Sequence, residues 1–245
     1  NNGKLMKTVY WPSSPETDTN AYISELKYSS PVNVLKDLKP AEFFGDTASK
    51  CPAIIDDCKN IFKINSPIDF SVTFNNNFTK YETKYDYGND FVHNFIGPFN
   101  EGIIQLSSPT YLFFCEEELT MTQLPTYYED NNFVKNCMGI SATFNISKWF
   151  RVVKPSFKFK KDSYTIDIDT NTALMYLKFN TDEKIKLVRF NASAIPDSIM
   201  LNLMSFKFQK KNPLVPTKLS EIYHAFVKAK YHKIITNKIK ENLLE

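Results

Sequence analysis

The sequence predicts a mainly β protein: an antiparallel β-sandwich or jelly-roll core, with an irregular N-terminal arm and C-terminal α-helices. Between residues 52 and 190, about eight short segments rich in Phe, Tyr, Ile, Val and Thr recur at roughly 10-residue spacing. Helical stretches are lacking between them, so parallel βαβ architecture is excluded and an antiparallel sandwich or barrel is the natural class. Beyond residue 217, apolar residues recur every four positions instead, which is a helical spacing. A chain of 245 residues with 42% hydrophobic content is long enough to bury a sizeable core, and 23% charged residues is ordinary for a globular chain. The expected units are an N-terminal arm over 1–50 packed on the core, a β domain over 51–195 and a helical segment over 196–245.

The arm reads as irregular because Pro12, Pro15, Pro31 and Pro40 punctuate it. Tyr10-Trp11-Pro12 reads as an extended piece ending at a proline. In the β domain, Phe70, Val72 and Phe74 alternate with polar residues, the period of a half-buried strand. Ile103–Leu106 and Tyr111–Cys115 are apolar runs separated by the turn-forming Ser107-Ser108-Pro109. Leu119, Met121 and Gln123 alternate, as do Ile140, Ala142, Phe144 and Ile146. Tyr164, Ile166 and Ile168 follow, then Ala173–Phe179 and the alternating Ile185, Leu187 and Arg189. The final helix carries Leu219, Tyr223, Val227, Tyr231, Ile235, Ile239 and Leu243 as one stripe with lysines around it.

Composition excludes several function classes. The net charge is +3, and only Arg151 and Arg189 among the 30 basic residues are arginine. Base-edge and phosphate recognition favour the arginine fork, so sequence-specific nucleic-acid binding is disfavoured. A lysine-rich helix binding phosphates remains a third reading, with a steep salt dependence as its mark. No apolar run approaches the roughly 20 residues of a membrane span, and no membrane association is expected. Asn1–Tyr10 has no apolar stretch of the signal-peptide kind, and the four cysteines form no C-x-x-C pair. Reduced, mostly buried thiols in a cytoplasmic protein are the expectation.

The chemistry-bearing residues are few. The histidines are His93, His224 and His232, and none stands in an H-x-D or H-x-E pattern, so no metal and no cofactor is expected. Asp90 and His93 lie close enough in sequence to form an acid–base pair or an ion site, though Gly88 and Asn89 beside them also fit an ordinary turn. Glu116-Glu117-Glu118 reads as a solvated strand end, because consecutive strand residues point to opposite faces. Asp167 and Asp169 share a face and read as an exposed edge entering a turn. Glycine-rich phosphate loops and G-x-S-x-G are absent. The arginine skew marks Arg151 and Arg189 as places where fork geometry matters, with a buried ion pair to a carboxylate such as Glu183 expected at Arg151.

Five segments together resemble an uncharacterised β-rich family of marine bacteriophages and some bacteria. They are Cys51-Pro52-Ala53, Ser66–Phe70, the stretch around His93-Asn94-Phe95, Trp149–Pro155 and Tyr176–Glu183. The resemblance covers about residues 50–190. It implies a β-sandwich or cupin-like shape and a phage-like origin, and it transfers no catalytic residues. The leading expectation is a phage-related, non-enzymatic binding or assembly protein, located in the host cytoplasm if phage-encoded. It forms a homo-oligomer or binds a protein partner through Tyr223, Val227, Tyr231 and Ile235 of the C-terminal helix. The alternative is a cupin-like enzyme or small-molecule binder whose site, near Asp90, His93 and Arg151, lies inside a barrel.

Overall fold

The computed structural model describes residues 6–13, 30–37, 51–74, 81–83, 95–96, 103–108, 111–160, 165–191, 195–196 and 218–244. Asp90 and His93 fall outside these residues.

Along the chain the elements are β1 (Met6–Ser13), β2 (Val32–Asn33), α1 (Val34–Asp37), α2 (Pro52–Cys58), β3 (Ile61–Asn65), β4 (Phe70–Phe74) and β5 (Tyr81–Thr83). Next come β6 (Ile103–Gln105), β7 (Phe114–Cys115), β8 (Thr120–Leu124), α3 (Asn132–Asn136), β9 (Cys137–Gly139) and β10 (Ala142–Asn145). The remainder is β11 (Ser156–Phe159), β12 (Thr165–Ile168), β13 (Ala173–Phe179), β14 (Lys184–Asn191), α4 (Leu219–Lys228) and α5 (Tyr231–Glu241). The protein is mainly β, as the alternating segments predict. The described strands form four sheets, in the orders β14-β1-β7, β10-β8-β13-β3-β2, β6-β11-β9 and β12-β4-β5. No sheet among the described residues closes into a barrel.

Two features depart from the sequence reading. Residues 6–13, expected to be irregular, form an eight-residue strand at the centre of the first sheet. That strand pairs with β14 in parallel over its whole length, from Met6 opposite Lys184 to Ser13 opposite Asn191. The parallel pair needs no βαβ unit, because the connection between its strands runs through most of the chain. Only Val9 and Tyr10 also pair with β7. Pro12 therefore stands where the strand has a single neighbour, a position that tolerates a missing N–H.

The strand periodicity explains how this sheet works. Val9, Trp11, Phe113, Cys115 and Ile185 point into the main core. Tyr10, Leu112, Phe114, Val188 and Phe190 point the other way, into a second cluster closed by Phe226, Ile235 and Ile239 of the helices. The sheet is thus buried on both faces, and the helices exist to cover the second one. In β13 the register shifts between Ala173 and Met175. Ala173 and Leu174 meet the third and main clusters respectively, while beyond the bulge Met175, Leu177 and Phe179 meet the main core and Tyr176 the third. The extra residue resets the phase of the strand.

The second departure is the C-terminal helix, which is two helices. A step of four residues turns a helix by about 400°, so a strict four-residue stripe drifts about 40° per step. Six steps from Leu219 to Leu243 carry it most of the way around one straight cylinder. The chain breaks at Ala229-Lys230 instead, with Lys230 left-handed at φ 57°. The break lets Phe226 and Ile235 face one cluster from two helices. After α5 the chain runs back along the outer edge of β14. Leu243 bridges Phe190, the Asn191 N–H donates to the Asn242 carbonyl, and the Leu244 N–H donates to the Arg189 carbonyl.

Trp11→Ala should be among the most damaging single changes in the chain. It opens a cavity in the main core at a side chain 3% exposed, and should cost about 3–5 kcal/mol in a urea unfolding curve.

Candidate functional site

The strongest clustering of polar and aromatic side chains lies where the end of β10 meets α4. It brings two of the sequence candidates, Arg151 and Tyr223, around one residue, Trp149. β10 runs antiparallel to β8 and stops at Asn145, opposite Thr120. The stop is local chemistry: the Asn145 side-chain oxygen accepts from the Ser147 N–H (3.1 Å) and from the Ser147 hydroxyl (2.7 Å), an Asx turn. The Asn145 amide nitrogen donates to Glu118 at 2.5 Å. Lys148 reaches the same carboxylate at 2.8 Å. Hydrogen bonding from Lys148 first, then from Asn145, holds the Glu118 carboxyl below the usual carboxylate range.

The outer edge of β10 is capped from the helix. The Asn145 backbone N–H donates to the Tyr223 hydroxyl at 2.7 Å, so α4 satisfies a strand-edge group. Burial pushes the Tyr223 phenol up, so it stays a neutral acceptor. Asn145-Ile146-Ser147 is a glycosylation sequon in form, but its amide is buried and committed to Glu118.

Beside this joint, Trp149 sits 5.3 Å from Phe144 and 6.4 Å from Tyr223, ring centre to ring centre. The Arg151 guanidinium lies over the indole at 5.0 Å, a cation–π contact. The expected ion pair from Arg151 to Glu183 is not formed: Glu183 lies 3.7 Å from Lys7 instead. No carboxylate pairs with Arg151 among the described residues. Burial alone shifts its basicity, downward. The Trp149 indole N–H is buried and also has no partner among the described residues. Two donors of one small cluster are therefore unused.

The other candidates separate. Ile235 is fully buried and Tyr231 packs against the same second cluster, so both serve the protein's own core. Val227 is 52% exposed. His232 donates from Nε2 to the Glu116 carbonyl at 2.8 Å and lies 5.5 Å from the Phe114 ring. The Glu116–Glu118 run lies just beyond β7, in a bend rather than on a strand, and each residue takes a different lysine: Lys240 of α5, Lys7 of β1 and Lys148 of the turn. Asp169 is used in its own turn, accepting from the Asn171 N–H at 2.8 Å and the Thr172 hydroxyl at 3.0 Å. No three His, Cys, Asp or Glu side chains converge as metal ligands among the described residues.

Sequence reasoning missed one further cluster. Tyr127, Tyr128 and Tyr176 stack edge to face, with Cys58 3.3 Å from the Tyr128 hydroxyl and the Tyr176 hydroxyl donating to Glu129 at 3.2 Å. Burial raises all three phenols, although Tyr127 keeps 46% of its surface exposed and only Tyr176 is fully buried. The Tyr127-Tyr128 pair was the available signal. Comparison with protein-family models, with curated proteins and with solved structures finds no match to this chain.

Two measurements check the joint. Tyr223→Phe leaves the Asn145 N–H without its acceptor and should cost about 1–3 kcal/mol in thermal or urea unfolding. Glu118 has a lowered folded pKa, so its contribution is present above the ordinary carboxylate pKa and fades as pH falls through the lowered value. Being solvent-exposed, it contributes no more than about 1 kcal/mol. Glu118→Gln should therefore lower stability slightly at pH 7, and the difference should shrink as pH falls below the ordinary carboxylate range in a pH-resolved melting series.

Proposed function

We propose that this chain is a non-enzymatic binding or assembly protein, phage-related as its sequence resemblance implies, built on a β-sandwich scaffold. The scaffold presents the Trp149–Arg151 shelf and the adjoining α4–α5 pair to a partner, with a second copy of the chain as the first candidate. The observation that carries this is Arg151: a half-buried guanidinium laid on an indole with no carboxylate partner among the described residues. Isolated buried charge is costly, and binding surfaces are where an arginine and a tryptophan together repay it. Exposed apolar side chains on the helices, Leu219, Val227 and Ile234, support the same reading.

The cupin-like alternative requires a polar interior within a closed barrel. The main core is filled by apolar side chains such as Phe113, Ile104, Met121, Phe157 and Leu177, all 1% exposed or less. The unused donors lie at the sheet–helix joint instead.

Native mass spectrometry tests the reading. The expected result is a discrete oligomer with no added mass, which Val227→Asp dissociates. A monomer that retains a stoichiometric metal or small molecule would overturn it.

A further inference from the structure

Resting on that reading, we infer that the Trp149–Arg151 shelf is a carboxylate-binding site, taking a single carboxylate group carried on an apolar body. The guanidinium presents planar N–H donors, and its geometry matches a carboxylate through two parallel hydrogen bonds. Its face is already occupied by the indole at 5.0 Å, so the edge carrying the donors is the part left to a ligand. The charge is a single one. Lys148 does not add to it, because Lys148 and Glu118 neutralise each other at 2.8 Å. One positive charge without a carboxylate partner among the described residues suits a monoanion better than a doubly charged phosphate.

One side of the site is aromatic. Phe144, Trp149 and Tyr223 form a continuous aromatic group beside the cation, at ring separations of 5.3 and 6.4 Å. They favour a carboxylate whose other end is hydrocarbon over a small hydrated ion. The composition points the same way. Arginine stands at only two of the 30 basic positions. A lysine at 151 would carry the charge without the fork. The site is positioned from both sides: the Asx turn at Asn145–Ser147 sets Trp149, and the Asn145–Tyr223 hydrogen bond sets the aromatic wall.

The test uses the whole protein and the indole N–H signals in a ¹H–¹⁵N correlation spectrum. Trp11 and Trp149 are the only tryptophans, so Trp149→Phe assigns the pair. Sodium benzoate is the probe, benzamide its neutral counterpart, and inorganic phosphate the competing anion. Benzoate should shift the Trp149 signal saturably and benzamide should not. Arg151→Gln should weaken benzoate at least about tenfold, and Arg151→Lys should weaken it by less while keeping the same melting temperature. Binding should also weaken as salt rises.

The source of the carboxylate is read from a second pair, acetyl-Leu-Glu-Leu-amide and its Gln counterpart. If the Glu peptide binds more tightly than benzoate, the natural ligand is an acidic side chain of a protein partner. If benzoate binds more tightly, it is a free organic acid. Either result supports a carboxylate site. No saturable shift, equal binding of benzamide, unchanged affinity in Arg151→Gln, or tighter binding of phosphate would each overturn it. The outcome is independent of the native mass experiment, because a monomer can bind benzoate and an oligomer can ignore it.

Discussion

The structure depends on one strand being buried on both faces. β1 lies between β14 and β7, sending Val9 and Trp11 to one side and Tyr10 to the other. Two hydrophobic clusters therefore share a single wall. The main cluster draws on all four sheets. Among the described residues no sheet lies opposite the second cluster. The α4–α5 pair closes it, through Phe226, Ile235 and Ile239. Without β1, the sheet loses its middle strand and the helices lose the surface they cover. The return of residues 242–244 along β14 follows from the same geometry. It pairs part of an edge that otherwise stays open, while the exposed lysines Lys184 and Lys186 keep the rest from accepting a foreign strand.

Packing and polar contacts divide the work of holding the helices. Fully burying a Phe or Ile side chain contributes about 1.5–3 kcal/mol, whereas an exposed ion pair contributes no more than about 1 kcal/mol. The inward faces of α4 and α5 therefore supply most of the attachment. The lysine contacts of Glu116, Glu117 and Glu118 fix direction more than strength. They tie α5, β1 and the turn after β10 to three successive residues beyond β7. Tyr223 is different in kind, because its hydroxyl is the acceptor for a largely buried backbone N–H. That contact is costly to remove, and it fixes where α4 lies relative to Trp149.

The alternating strands were legible because each has one face in the core: β4, β8, β10, β12 and the start of β14 all show the period of two. β1 was hidden by the opposite condition. With both faces buried and Pro12 near its end, Lys7-Thr8-Val9-Tyr10-Trp11 shows no clean apolar–polar alternation. β3 was missed because its buried residues, Ile61 and Ile64, stand three apart and break the period of two, and β9 because it has only three residues. The helix break was implicit in the four-residue stripe, whose drift no straight helix can hide, yet nothing at Ala229-Lys230 marks it as a stop. At the joint, the scarcity of arginine drew attention to Arg151, but the ion pair expected there is not formed. It did not reveal the stacking partner, although Trp149 is only two residues away, because no periodic pattern in this loop says that the guanidinium folds back over the indole. The pairing with Glu183 failed for a simple reason: β14 runs beside β1, and Lys7 occupies that carboxylate.

The shelf is hard to explain as structure alone. A residue present only to pack against Trp149 could be aliphatic, and burial of its charge would be avoided. A cation–π contact returns about 0.5–2 kcal/mol, with the upper value reserved for desolvated pairs. Partial burial of the guanidinium works against that return, as the lowered basicity of Arg151 shows. The indole N–H is a buried donor with no partner among the described residues, a condition worth about 1–3 kcal/mol. An isolated chain thus carries two costs at one place that an apolar substitution would remove. Both costs have a common remedy in an anion acceptor. A carboxylate brought to Arg151 compensates the charge directly, and a small shift of the indole on binding would let its N–H share the same acceptor. Local costs of this kind are what the proposed partner surface would relieve.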